Sequence, residues 1–240
     1  MRRLTSILTL TVAAASFVGL APSALAATKP FGAKSASQIL SLASAAMLKA
    51  GSVHVVNNSL LSGSLAFTQT TDSSRLVGEQ SQEFGSGVES IRLIGTALYL
   101  KANNAAYSQS FNIANSTLAG NWVKVPSSNP NYSNIAAAVL LPSLIKNVFT
   151  MRFSKVLGVK TFHGQATVAI KGDPPNTTPG TSEIQTVYIS TSAPYLPVGL
   201  KTVFLEGVNG TGTILFSKWG EKFNVIKPGS YFFATSKNFP

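Results

Sequence analysis

From Ser52 onward, apolar side chains recur at every second position, and this alternation constrains the fold more than any other feature of the chain. A period of two puts successive side chains on opposite faces of an extended backbone, so such a run makes a strand with one face to bury. SVHVVNNSLLSGSLAFTQT, SRLVGEQSQEF, VESIRLIG and TALYLKA follow one another with only short Gly, Ser, Asp and Asn punctuation. In VESIRLIG, Ile91 and Leu93 point one way and Arg92 and Ile94 the other. Strands this close in sequence pair most economically as an antiparallel meander. The pattern returns in MRFSKVLGVKTFHG, QATVAIKG, EIQTVYIST, PVGLKTVFLEG and GTILFSKWG followed by EKFNVIKP. GSGVES (85–90) and the Gly207, Asn209-Gly210 stretch are expected as hairpin turns, and DPPNTTPGTS (173–182) as a surface loop.

Two apolar segments break the alternation. In SASQILSLASAAMLKAG, Ser37 is the expected N-cap, and Ile39, Leu42, Ala43, Ala46, Met47 and Ala50 follow helical spacing up to Gly51, placed to end the helix. Leu40 and Leu48 fall off that stripe, which predicts burial on more than one side. IAAAVLLPSLIKNV (135–148) carries one charge, Lys146, with Pro142 in its middle. Proline cannot donate a backbone hydrogen bond, so this segment reads as two short helices with Pro142 near the first turn of the second, or as one kinked helix. NNAAYSQSFNIANSTLAGNWVKVP reads as a short helix or irregular loop, then an edge element at Trp122–Val125. The tail GSYFFATSKNFP either adds a strand or packs aromatics on the body. Few apolar helices and many amphipathic strands together predict an α+β, mainly β, fold: a single strongly curved antiparallel sheet with the helices on its concave face.

The first residues are expected to be a signal peptide. Arg2 and Arg3 precede an apolar run, about Ile7 to Leu20, and Ala24-Leu25-Ala26 fits the cleavage rule, leaving 27–240 as a single domain. The sequence holds no cysteine, so it forms no disulfide, no cysteine-ligated metal site and no acylated-cysteine anchor. The formal net charge is +11, yet charged residues make up only 11% of the chain and nowhere cluster as three consecutive Lys or Arg. Scattered basic side chains of this kind favour an anionic envelope surface and argue against nucleic acid, which calls for a basic stripe with interleaved aromatics.

The residue types for catalysis are sparse. Eight acids and two histidines, His54 and His163, show no G-x-S-x-G elbow, no clustered metal ligands and no phosphate loop. His54 is expected on the outer or rim side of a strand and His163 near a turn; no cofactor is expected. Asn57, Asn115, Asn131, Asn176 and Asn209 match N-x-[ST], a pattern frequent by chance in a chain rich in Ser, Thr and Asn. The apolar helical residues admit two readings: ordinary core against one sheet face, or the lining of a cavity. In a cavity, each buried methylene of a guest would contribute about 0.8 kcal/mol.

SASQILSLASAAMLKAGSVHVV, RLIGTALYLKANNAAYSQ, GNWVKVP with the Leu/Pro-rich stretch after it, VYISTSAPYLPVGLKTV and ILFSKWGEKFNVIKP together resemble the LolA/LppX-like lipoprotein-carrier family over most of residues 35–228. The resemblance implies a half-barrel antiparallel sheet with helices over its concave face and a hydrophobic cavity between them that carries acylated lipids or lipoproteins. It assigns Ile39, Leu42, Met47, Leu140, Leu141, Leu144 and Ile145 to the lid or cavity helices. Many members of the mycobacterial-type branch are anchored through an acylated cysteine; this chain, with none, is expected as a secreted, non-enzymatic, monomeric binder of a lipid or other amphiphile. The alternatives are an envelope or surface interaction protein with a solid core, and a hydrolase.

Overall fold

The computed structural model describes residues 31–61, 65–114, 116–174, 183–204, 210–235 and 239, with backbone alone at 61, 65 and 66. The expected signal peptide, the loop from 175 to 182, the Gly207–Asn209 turn, Asn115 and Asn176 lie outside the described residues.

The helix nearest the start of the described chain, α1 (Ala36–Ala50), opens on a capping box. The Ser35 hydroxyl accepts from the Gln38 backbone N–H at 3.3 Å, and the Gln38 side chain accepts from the Ser35 N–H at 2.9 Å. The cap is therefore Ser35, two residues before the Ser37 expected, because only Ser35 has a glutamine three residues on to close the box. Ser35→Ala should cost about 1 kcal/mol in chemical denaturation, whereas Ser37→Ala should stay within about 0.5 kcal/mol. The helix ends at Gly51, whose φ of 82° is left-handed and whose N–H donates to the Met47 carbonyl. Ala36, Ile39, Leu40, Ala43 and Met47 are buried, while Leu42 and Leu48 are each 40% exposed. The helix thus buries one face only, through a stripe that includes Leu40.

The alternating segments all become strands: β1 (Ser52–Leu61), β2 (Leu65–Ser74), β3 (Val77–Phe84), β4 (Gly87–Ile94), β5 (Ala97–Ala102) and β6 (Trp122–Val125), then β7 (Arg152–Phe162), β8 (Gln165–Asp173), β9 (Glu183–Ser190), β10 (Pro197–Phe204) and β11 (Gly210–Ser217). Each half is a meander, and pairing of β1 with β11 joins the halves into one sheet. A two-residue strand, β12 (Phe232–Phe233), runs parallel to β6; every other pairing is antiparallel. The sheet is open, with β12 and β7 at its ends. It is the curved half-barrel predicted, with helices on the concave face. At the β7 end the register shifts twice against β8, between Arg152 and Lys155 and between Val156 and Gly158, and Phe153 stands 86% exposed.

Pro142 acts as expected. It lies at the start of α4 (Leu141–Phe149), and the preceding α3 (Tyr132–Ala138) stops short of it. NNAAYSQSF resolves as a helix, α2 (Asn104–Phe111), capped by the Asn103 side chain on the Ala106 N–H at 2.8 Å. The tail does both things foreseen for it: it supplies β12 and buries Phe239 against Tyr107 and Phe111. EKFNVIKP is not a strand. It runs irregularly, held where Arg92 donates to the Ile226 carbonyl and Ser52 to the Glu221 carbonyl.

The apolar side chains form two clusters. One joins α1 and α4 to β1, β8, β9, β10 and β11 through residues such as Ile39, Met47, Leu141, Ile170 and Leu200. The other joins α2, α3 and Phe239 to β4, β5 and β6 through Leu98, Leu100, Tyr107, Val123 and Val139. Between them runs a polar strip on the inward face, made by Asn57 on β1, Gln69 and Thr71 on β2, Gln80 and Gln82 on β3 and Glu89 on β4.

Candidate functional site

The polar strip follows from strand parity. On β4, Glu89 shares its face with Ile91 and Leu93; on β3, Gln80 and Gln82 share theirs with Phe84; on β2, Gln69 and Thr71 share theirs with Ser73. The register sets Asn57, Gln69, Gln82 and Glu89 in one row across four strands, and Thr71 opposite Gln80 in the next.

Four hydrogen bonds link these side chains in a single sense. Asn57 Nδ2 donates to Gln69 Oε1 at 3.5 Å, Gln69 Nε2 to Gln80 Oε1 at 2.5 Å, Gln80 Nε2 to Gln82 Oε1 at 3.0 Å, and Gln82 Nε2 to Glu89 Oε1 at 3.2 Å. The sense is set by the end of the chain. An ionised carboxylate only accepts, so with Glu89 ionised Gln82 presents its amide nitrogen to it, which turns the Gln82 oxygen to Gln80, and so on back to Asn57.

Above this floor lies a cavity of about 440 Å³. Its roof and mouth come from Ser110 and Phe111 on α2, Asn134, Ile135, Ala137 and Ala138 on α3, and Leu144 and Asn147 on α4. Ser110, Asn134, Ala138 and Asn147 are exposed, so the cavity opens to solvent on the helix side. The volume lies within the range of about 300–1,000 Å³ usual for small-molecule sites.

Glu89 is the carboxyl in this cavity and is 3% exposed. Burial pushes its pKa up to about 7, with hydrogen bonding by Ser110 and Gln82 offsetting part of the rise. Its Oε2 has no hydrogen-bond partner, and neither has the buried Tyr107 hydroxyl. Burial, with the charge of Glu89, pushes that phenol up to about 12.

The seven residues singled out in the sequence are dispersed by this arrangement. Leu144 lines the central cavity and packs against the α1 cluster. Ile39, Met47 and Leu141 are fully buried within that cluster, with Ile145 half-buried on its surface. Leu140 packs against the other cluster, and Leu42 faces solvent. Ile39 also borders a second pocket, of about 500 Å³, formed with Phe31, Val156, Leu157, Val159 and Val168 beside β7. The apolar residues of 135–148 are thus divided between two cores, and the space beneath them is floored by amides and a carboxyl.

Sequence reasoning missed Glu89, Gln80 and Gln82. Their signal was parity with Ile91 and Phe84, which outweighs the expectation that polar residues face out. Both histidines and the Glu79–Arg92 carboxylate–guanidinium pair lie away from this cavity. His54 Nδ1 is 2.6 Å from Asp72 Oδ1, Arg92 Nε donates to Glu79 Oε1 at 2.7 Å, and His163 occupies the β7–β8 turn with φ 45°. Among the described residues no three His, Asp or Glu converge as a metal site.

No protein-family model matches the sequence, and a search of curated proteins also returns no match. Among solved structures, LprF from Mycobacterium bovis is similar at a TM-score of 0.51 and 18% identity, over 81% of this chain and 97% of that one. A DUF1329 family protein from Desulfovibrio piger (TM-score 0.32, 9% identity) matches over 76% of this chain and 91% of its own. The LolA superfamily protein NE2245 from Nitrosomonas europaea (TM-score 0.25, 9% identity) matches over 78% and 93%. The likeness to LprF shows a shared fold, in line with the resemblance read from the sequence motifs.

Proposed function

We propose that the protein is a non-enzymatic carrier that holds a lipid or other amphiphile in the cavity between the curved sheet and helices α2 to α4. The observation that carries this reading is the 440 Å³ cavity itself, open on the helix side and lined both by apolar groups (Ile91, Phe111, Ile135, Leu144) and by polar ones, chiefly amides. A purely apolar guest would leave the amides without hydrogen-bonding contact, and a purely polar one would strand the aliphatic roof; an amphiphile meets both. The family resemblance read from the sequence motifs supports the same role.

On this reading the leader expected at 1–26 would direct the remaining chain, 27–240, out of the cytoplasm as a secreted monomer. No helix among the described residues is long and apolar enough to cross a membrane, and the sequence holds no cysteine that could carry an acyl chain. Its positive charge would hold it near an anionic envelope surface.

Native mass spectrometry of gently purified protein should show one amphiphile bound, or taken up on addition of a single-chain lipid. Leu144→Trp, which adds bulk at the cavity roof, should abolish that uptake while the protein stays folded. A protein that is consistently empty and takes up no single-chain lipid would sink the carrier reading in favour of a solid-core interaction protein.

A further inference from the structure

We propose that the floor of the cavity is a binding site for an uncharged, hydroxyl-bearing head group, with the free oxygen of Glu89 as its anchor. This rests on the amphiphile-binding reading and specifies which end of the guest the sheet recognises.

Three observations lead there. First, Glu89 Oε1 accepts from Gln82, whereas Oε2 is buried and makes no hydrogen bond in the structure, with the Ser110 hydroxyl at the mouth the other side chain that acts on the carboxyl. A buried carboxyl oxygen without a partner is costly, and the vacant position adjoins the cavity. Second, the rest of the floor is carboxamide, which offers donors and acceptors without net charge. Third, no Lys, Arg or His is among the lining residues. A phosphate or carboxylate head would meet no cation there and would face the Glu89 carboxyl instead.

A hydroxyl fits both protonation states of that carboxyl. It donates to the ionised form and accepts from the neutral one. The one-way amide chain favours this further, because each donor points toward Glu89 and each bond polarises the next, which strengthens Oε1 as an acceptor and leaves Oε2 as the open terminus.

Isothermal titration of the full chain with monomyristoylglycerol, myristate and tetradecylamine, which share one acyl length, separates the heads. The glycerol ester should bind about tenfold more tightly than myristate, the worth of one well-made hydrogen bond to a charged group, and the gap should widen toward about pH 8 as Glu89 ionises. Glu89→Ala should lose about tenfold in affinity for the glycerol ester, and Glu89→Gln less. Glu83→Gln, on the exposed face of the same sheet, should change nothing. The comparison of heads on the unaltered protein needs no variant to fold. Equal affinity for the glycerol ester and myristate, or tighter binding of the amine, overturns the head-group assignment while the carrier reading stands. If none of the three binds, both fall.

Discussion

Gly78→Ala should destabilise the protein by about 1–3 kcal/mol, and Gly78→Val by more, as overpacking of a closed contact generally does. Gly78 lies on β3 where the junction between α3 and α4 crosses the sheet. A methyl group there would overlap the Val139 carbonyl oxygen and come within 2.8 Å of the Val139 Cβ. The obstacle is backbone, so no change of rotamer relieves it. Nor can the junction simply lift: the Val139 carbonyl accepts from the Ser73 hydroxyl at 2.9 Å, and Leu140 bridges to Ser74. Val139 itself is fully buried in the cluster that holds α2 and Phe239. The substitution must therefore raise the helices that roof the cavity. Urea denaturation should show the lowered midpoint, and amphiphile uptake should fall with it. A Gly78→Val protein as stable as the parent would mean that the roof is not clamped at this point.

The second large effect is a dependence of stability on pH carried by Glu89. Its folded-state pKa of about 7 lies above the ordinary value of 4.5, so the folded protein binds the proton more tightly than the unfolded chain does. Between those values the native state holds more protons, and unfolding free energy falls as pH rises. The contribution of this group is complete below about pH 4.5, declines through about pH 7, and amounts to roughly 3 kcal/mol across the window. Glu89→Gln keeps an acceptor for Gln82 and cannot ionise. It should flatten that part of the profile and make the protein more stable than its parent at about pH 8. Denaturation curves for both proteins from pH 4 to about pH 8 test this; parallel curves would show that Glu89 ionises freely in the folded state.

The strands and helices were legible because each rests on a local signal. Alternation around Ile91 and Leu93, the end of α1 at Gly51 and the break before Pro142 are all consequences of backbone geometry within a few residues. The start of α1 was read two residues late, at Ser37, because the Gln38 that closes the box on Ser35 was not counted. The cavity was not legible in the same way. Which face of α4 meets which core depends on how the two meanders close around it, so Leu141 and Leu140, neighbours in sequence, enter different clusters. The floor was hidden for another reason. Glutamine and glutamate on a strand are ordinarily solvent-facing, and only the parity of Gln82 with Phe84, and of Glu89 with Ile91, marked them as inward. The irregular course of EKFNVIKP shows the opposite error, in which apolar alternation was taken for pairing where the chain is tied instead by the Ile226 and Glu221 carbonyls.

A sheet that ends without closing offers its last strand as a template on which identical chains can stack into a fibril, and β7 is eleven residues long. The two register shifts opposite β8, with φ of 49° at Phe153 and 93° at Gly158, bend and twist that rim. A second molecule approaching it would find its ladder of donors and acceptors out of step, and Lys155 and Lys160 would bring like charges together across the contact. The irregular rim thus works as a guard, letting the half-barrel remain open without growing by addition of further strands.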